Sequence, residues 1–217
     1  MTFLPRTAYD EQFYREELFD FLPATFIDFH AHIWKREFFW KPRNSGGRTV
    51  TWTAIVAADN SIEDLIATNA ELFPGKKVIS ALYPETLRSI RVDVNNEYVL
   101  EAARKYHFPA LYLCRPEQSA EEVEEAVLQG GYAGLKPYLD FAPEYIPPDE
   151  IRIYDFLPKE HLKVADRLGL PVVVHIARPK RLADPVNYVQ LREIEEEFPN
   201  LTLVVAHHGR AYAESDV

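Results

Sequence analysis

An apolar strand that ends in two histidines one residue apart, Phe26-Ile27-Asp28-Phe29-His30-Ala31-His32, constrains this chain more than any other stretch. Side chains alternate faces along an extended strand, so His30 and His32 share a face, roughly 7 Å apart. Two neutral imidazoles so placed can reach one metal ion, although a strand end of mutually satisfied polar groups reads the same way. Two later apolar runs also end in histidine: Pro171-Val172-Val173-Val174-His175, and Leu201 through Ala206 followed by His207 and His208. Histidines at the ends of three β-branched runs match the way a nitrogen-and-oxygen metal site is built on a parallel barrel.

Helical patterns separate the strands. A short amphipathic helix is expected from Asp10 to Leu22, stopped by Pro23. The form of a capping box at Ser61-Ile62-Glu63-Asp64 opens a helix that runs to Pro74-Gly75, and strand 2 follows as Val78–Tyr83. A helix from about Asn95 to Tyr106 leads to strand 3 (Ala110–Cys114), and one capped at Ser119 and ended by Gly130-Gly131 leads to strand 4 (Ala133–Lys136). Lys159 to Leu168, stopped by Gly169, precedes strand 5. Asp184-Pro185 opens the helix before strand 6. Strand and helix in alternation mean parallel β/α units wound in one sense. Six units are visible, and only nine residues follow His208.

The hydrophobic share of 47% and charged share of 27% are those of an ordinary globular protein, and 217 residues suit one domain. A net charge of -10 argues against nucleic acid or an anionic membrane as partner. Cys114, the single cysteine, excludes an internal disulfide, reads as a buried small hydrophobe, and with the absence of a leader pattern points to the cytoplasm. A long stretch after the first strand, Ile33 to Ala58, carries Trp34, Trp40 and Trp52 with Lys35, Arg36, Lys41, Arg43 and Arg48. It reads as a lid or specificity loop, as an aromatic satellite cluster against the first helix, or as a surface for homo-oligomerisation.

Asp28-Phe29-His30-Ala31-His32, Gly134-Leu135-Lys136, Val174-His175 and Ala206-His207-His208-Gly209-Arg210, in that order, resemble the amidohydrolase superfamily. More narrowly the chain is similar, from Phe26 to Tyr212, to the amidohydrolase-related branch of metal-dependent hydrolases, lactonases and non-oxidative decarboxylases. The resemblance implies an α/β fold of the TIM (β/α)8 type, with residues 1–25 as a helical lead-in and 26–217 as the barrel. It also implies a divalent metal, most plausibly zinc, held by His30, His32 and His175, with His207 beside it as ligand to a second ion or as an acid/base group. His208 is expected to turn away into the barrel wall or toward a helix. Lys136, if carboxylated, would bridge two metals; as a plain cation it would bind a substrate carboxylate. The aspartate that the superfamily carries at the end of strand 8 has no counterpart, since Asp216 follows strand 6 too soon. The chain is therefore expected to be a piece of a longer one, with completion by another polypeptide or a catalytically incomplete barrel as alternatives.

Other cations fall near strand ends: Arg115 after strand 3, Arg178 after strand 5 and Arg210 after strand 6. Together they would attract a small anionic substrate; singly, each pairs as readily with a local acid such as Asp140 or Asp184. Tyr83 and Tyr138 could line the pocket, whereas His107 and His161 read as surface or helix-end residues. Three functions remain open at this stage. They are a hydrolase attacking the carbonyl of a carboxylated amide, lactone or ester, a decarboxylase on the same residues, and a non-catalytic barrel remnant.

Overall fold

A computed structural model describes residues 6–41 and 56–210. Among these residues six strands run parallel in chain order: β1 (Thr25–Ile33), β2 (Lys77–Pro84), β3 (Leu111–Tyr112), β4 (Gly134–Leu135), β5 (Pro171–Val174) and β6 (Thr202–Val205). The ladder β1-β2 and the ladder β3-β4-β5-β6 are joined by a parallel bridge between Leu82 and Ala110. Helices α1 (Ala8–Phe13), α2 (Ile62–Leu72), α3 (Val92–Tyr106), α4 (Ala120–Gly130), α5 (Lys159–Leu168) and α6 (Pro185–Glu197) alternate with them. This is the wall of a TIM-type barrel, six units of it. Among the described residues β1 pairs only with β2 and β6 only with β5, so the wall does not close between those two edges.

The helix punctuation acts as the sequence leads one to expect. Ser61 and Ser119 each form a reciprocal capping box, Asp184 accepts from the Val186 N–H ahead of Pro185, and Gly131 and Gly169 take left-handed φ to end α4 and α5. Three boundaries differ. The first helix is capped by Thr7, starts at Ala8, and widens after Phe13 into a π-helical turn, Tyr14–Leu18, anchored by the Tyr14 hydroxyl donating to Pro74 O at 2.8 Å. The helix α3 starts at Val92 and lacks a side-chain cap, so no start signal was there to read. Strand 3 ends early because Asn96 satisfies Leu113 on both sides, its Oδ1 accepting from Leu113 N and its Nδ2 donating to Leu113 O, each at 3.0 Å.

Two apolar layers result. Between strands and helices lies the main core, with Leu82, Leu113, Leu135, Val172, Val174 and Ile194 buried. Inside the barrel Ala81, Tyr83, Leu111, Val173 and Ala206 pack together. Trp34 and Phe38 join the main core, while Trp40 stays exposed; Arg43, Arg48 and Trp52 lie outside the described residues, as does Asp216. Cys114 is buried, as expected. Among the described residues no helix is long and apolar enough to cross a membrane.

One irregularity positions the site. In β1, Phe26, Ile27 and Asp28 pair with Val78, Ile79 and Ser80, but Ala31 and His32 pair with Leu82 and Tyr83, so β1 carries one extra residue between Asp28 and Ala31. Before this bulge the even positions face the helices: Phe26 meets the Phe73 ring edge-on at 5.1 Å, and Ser80, beside Asp28, bonds Asn69 of α2. After it the odd positions Ala31 and Ile33 face the helices, and His32 stands beside Tyr83 inside the barrel. The extra residue inverts the alternation and brings the histidines inward. Deleting Phe29 leaves no register that keeps both Phe26 outside and the histidines inside. We expect it to lower the unfolding free energy, read by urea denaturation, by about 2–5 kcal/mol.

Candidate functional site

His30 and His32 project from β1, Lys136 follows β4, His175 follows β5 and His207 follows β6, all at the carboxyl end of the barrel. One nitrogen each from His30, His175 and His207 lies within 4.8 Å of the other two. The His30 ring stacks on His207 at 5.0 Å, and His175 meets His207 edge-on at 4.8 Å. His32 joins through its Nε2, 3.0 Å from His30 Nε2. Its Nδ1 lies 2.7 Å from Pro84 O, a carbonyl that can only accept, so the proton sits on Nδ1 and the Nε2 lone pair points into the cluster. Asn60 fixes the same residue from behind, its Nδ2 donating to His32 O at 2.7 Å.

Burial keeps these imidazoles uncharged. It lowers His30 to about 2 and His32 to about 3, with the Lys136 charge adding in the same direction, and it also pushes His175 far down. His207 is exposed and lowered too, by partial burial and then by Arg210 and Lys136. Lys136 does not reach for solvent. Its side chain is fully buried between the Tyr83 and Tyr138 rings, at 5.4 Å and 6.0 Å from their centroids, and burial lowers its ammonium to about 7.

Among the described residues, two buried polar atoms here have no partner, His175 Nε2 and Lys136 Nζ. Such orphans are rare, and each names what would satisfy it. An inward, uncharged imidazole nitrogen that carries its lone pair is satisfied by a hydrogen-bond donor or by a Lewis acid. Three or four converging imidazoles form a donor set suited to a divalent ion of the zinc type, so the residues fit the metal that the resemblance implies.

The turn that carries His207 is strained. His207, His208, Gly209 and Arg210 all have positive φ, between 50° and 62°, a conformation that costs a non-glycine residue about 1–2 kcal/mol. Neighbouring residues hold the turn. A Cβ on Gly209 would lie 2.3 Å from Leu182 Cγ, and the loop bearing Leu182 is tied down by Asn187, which donates to Ala177 O and Arg181 O at 2.8 Å each. The result sends His207 inward and leaves His208 in solvent, away from the cluster as expected but not in the wall.

The arginines separate. The charge of Arg210 lowers both His207 and Tyr138. Arg178 pairs with Asp184 at 3.0 Å and braces the loop after β5. Arg115 pairs outward with exposed Asp93 at 3.4 Å. His107 ends α3 in a left-handed cap, but His161 is fully buried, not a surface residue, its Nε2 2.8 Å from Gln118 O. Asn60, Leu182 and Asn187 act through other residues, and nothing in their sequence neighbourhood marks them.

The profile of the Amidohydrolase family matches residues 27–215. The chain belongs to that family of enzymes. None of the curated proteins matches it. Among solved structures, this amidohydrolase resembles a probable 2-pyrone-4,6-dicarboxylic acid hydrolase from Acinetobacter baumannii, with TM-score 0.54 and 19% identity over 85% of this chain and 58% of that one. It also resembles 4-oxalomesaconate hydratase from Rhodopseudomonas palustris (0.54, 19%, 85% and 63%) and amidohydrolase 2 from Bifidobacterium longum subsp. infantis (0.52, 14%, 89% and 66%). These likenesses concern the barrel fold, and the chain spans about six tenths of the length of the first two.

Two outcomes follow for the metal-free protein. Unfolded histidines titrate near 6.5 and the native ones far lower, so stability is fully present above pH 6.5 and drains as pH falls toward 3. Urea midpoints should drop over that range, and His32→Gln should flatten the drop. Gly209→Ala should cost about 1–3 kcal/mol of unfolding free energy, and adding Leu182→Ala should return part of it in a double-mutant cycle.

Proposed function

We propose that this chain carries the greater part of a metal-dependent hydrolase site that adds water to the carbonyl of a small carboxylated amide, lactone or ester. What supports the reading is the meeting of His30, His175 and His207, with ligand atoms within 4.8 Å of one another, at the mouth of a barrel of this family. Zinc is the ion we assign first, because imidazole suits it. A bound ion of this kind lowers the pKa of water to about 7 and polarises a carbonyl.

The chain's own residues divide the remaining work. His30 and His175 offer inward nitrogens, and His32 is set by Pro84 to offer a third. His207, on the solvent side, either completes that set or takes the proton of the attacking water. Arg210, and Lys136 when protonated, hold the substrate carboxylate; their charge faces the cluster while the rest of the protein is acidic. Neutral Lys136 would instead take up carbon dioxide and bridge two ions. The substrate is thus small and anionic, with no nucleic acid or membrane partner, and the setting cytoplasmic.

Elemental mass spectrometry on the purified chain and on His30→Ala tests this. About one zinc or similar ion per chain, lost in the variant, is expected for a site of three imidazoles. Two ions would place a carboxylated Lys136 between them, and none after adding zinc would overturn the metal reading for this chain. Pyrone dicarboxylates, the class named for the Acinetobacter relative, are the first substrates to try. Ring opening supports the hydrolase, and carbon dioxide release without it would replace the hydrolase with a decarboxylase.

A further inference from the structure

The loops that follow β1, β2, β3 and β4 enclose a second concavity, an open groove of about 510 Å3 that shares no residue with the histidine cluster. Its walls include Trp40, Arg88, Ile90, Arg115, Glu117 and Phe141. They are fixed before any ligand arrives. Phe39 forms an antiparallel bridge with Ile90, and Trp40 N donates to Ser89 O at 3.1 Å, which staples the first loop to the second. Arg88 is tied to the loop after β4, its Nε donating to Asp140 O at 2.9 Å and its Nη2 to Ala142 O at 2.7 Å. Gln118 on the floor donates to the Tyr112 hydroxyl at 2.9 Å, accepts from Arg115 N at 2.8 Å, and passes its carbonyl to buried His161.

The chemistry of the walls is mixed in a specific way. Arg115 has Asp93 as its ion-pair partner, at 3.4 Å on an exposed carboxylate, a kind of pair that contributes little and leaves the guanidinium fork to be taken by something better. Glu117, two residues on, is exposed. Glu122 keeps its charge but is drawn back by Ser119 N, from which it accepts at 2.7 Å, and Arg88 keeps its own but is directed to backbone carbonyls and to Glu144 at 3.8 Å. Among the described lining residues Arg115 and Glu117 are the cation and the carboxylate turned to a ligand, beside the indole of Trp40, 58% exposed with Lys41 Nζ over one face at 4.2 Å from the ring centroid, and beside the apolar surface of Ile90 and Phe141. A plain anion would gain Arg115 and be repelled by Glu117, and a plain cation the reverse. A zwitterion with an aromatic group satisfies all three walls.

We propose that this groove binds an aromatic α-amino acid, free or as the end of a small conjugate, with its carboxylate on Arg115, its ammonium on Glu117 and its ring against Trp40. The proposal is independent of the metal site, and its readout involves neither metal nor turnover. The indole N–H resonances of the full chain, with Trp40 assigned through Trp40→Phe, are followed by nitrogen-proton correlation spectra as L-phenylalanine is added. The Trp40 resonance is expected to move with a dissociation constant of about 1 mM, as befits a small ligand in an open groove, while that of buried Trp34 stays. Hydrocinnamate and phenethylamine, each lacking one charge, should bind about fivefold or more weakly, as should L-phenylalanine to Arg115→Gln and to Glu117→Gln. Both replaced side chains are at the surface, and unchanged spectra elsewhere confirm the fold. A Trp40 resonance unmoved at about 20 mM, far above that constant, overturns the proposal, and so does equal binding by the two companions or by Arg115→Gln.

Discussion

A single extra residue in β1 decides on which side of the barrel wall two histidines stand. With strict alternation Phe26, Asp28, His30 and His32 would share one face, and Phe26 is committed to the helix side by its contact with Phe73. The bulge lets the first half of the strand serve the outer core and the second half serve the interior. Pairing of His32 with Tyr83 then sets the histidines against the carboxyl ends of β5 and β6, and the candidate site depends on that meeting. The local disruption of the ladder is the cost of reconciling packing with chemistry in nine residues.

Once the side chains are inside, desolvation governs their state. The same burial that keeps His30, His32 and His175 uncharged, hence able to donate lone pairs, works against the ammonium of Lys136. Each charge that is allowed disfavours the next, so the cluster without a ligand is a set of groups held close and left unsatisfied at His175 Nε2 and Lys136 Nζ. The left-handed turn at His207 to Arg210 adds backbone strain at the same place. Orphaned polar atoms and strain together are what a preorganised binding site looks like before its ligand is counted.

Much of this was legible in the sequence, for reasons that differ by level. Helix ends were readable where a side chain caps the backbone, at Ser61, Ser119 and Asp184, and unreadable at Arg91, where none does. The histidines were readable because apolar runs that end in imidazole are hard to explain as core. The bulge was not, since residues 27–33 alternate apolar and polar without interruption and only the register against β2 reveals the extra residue. The position of Lys136 at the end of β4 was readable, but its burial depends on Tyr83 and Tyr138, which lie far from each other in sequence. For Arg115 and Arg178 the sequence left a substrate and a local acid open, because nearness to a strand end does not say which way a long side chain turns; they pair with Asp93 and Asp184. His161 does stand at a helix end, in the first turn of α5, but its burial was not readable, since its partner is a backbone carbonyl that no pattern displays.

The central claim is that neutral histidines from three strands converge on one divalent ion. X-ray absorption at the zinc edge of the zinc-loaded chain tests it most directly. A nitrogen-rich first shell at about 2.0–2.1 Å with the outer scattering of three or more imidazoles is expected, reduced by one in His175→Gln. A shell of oxygen donors with no imidazole scattering, or one unchanged by that substitution, would contradict it.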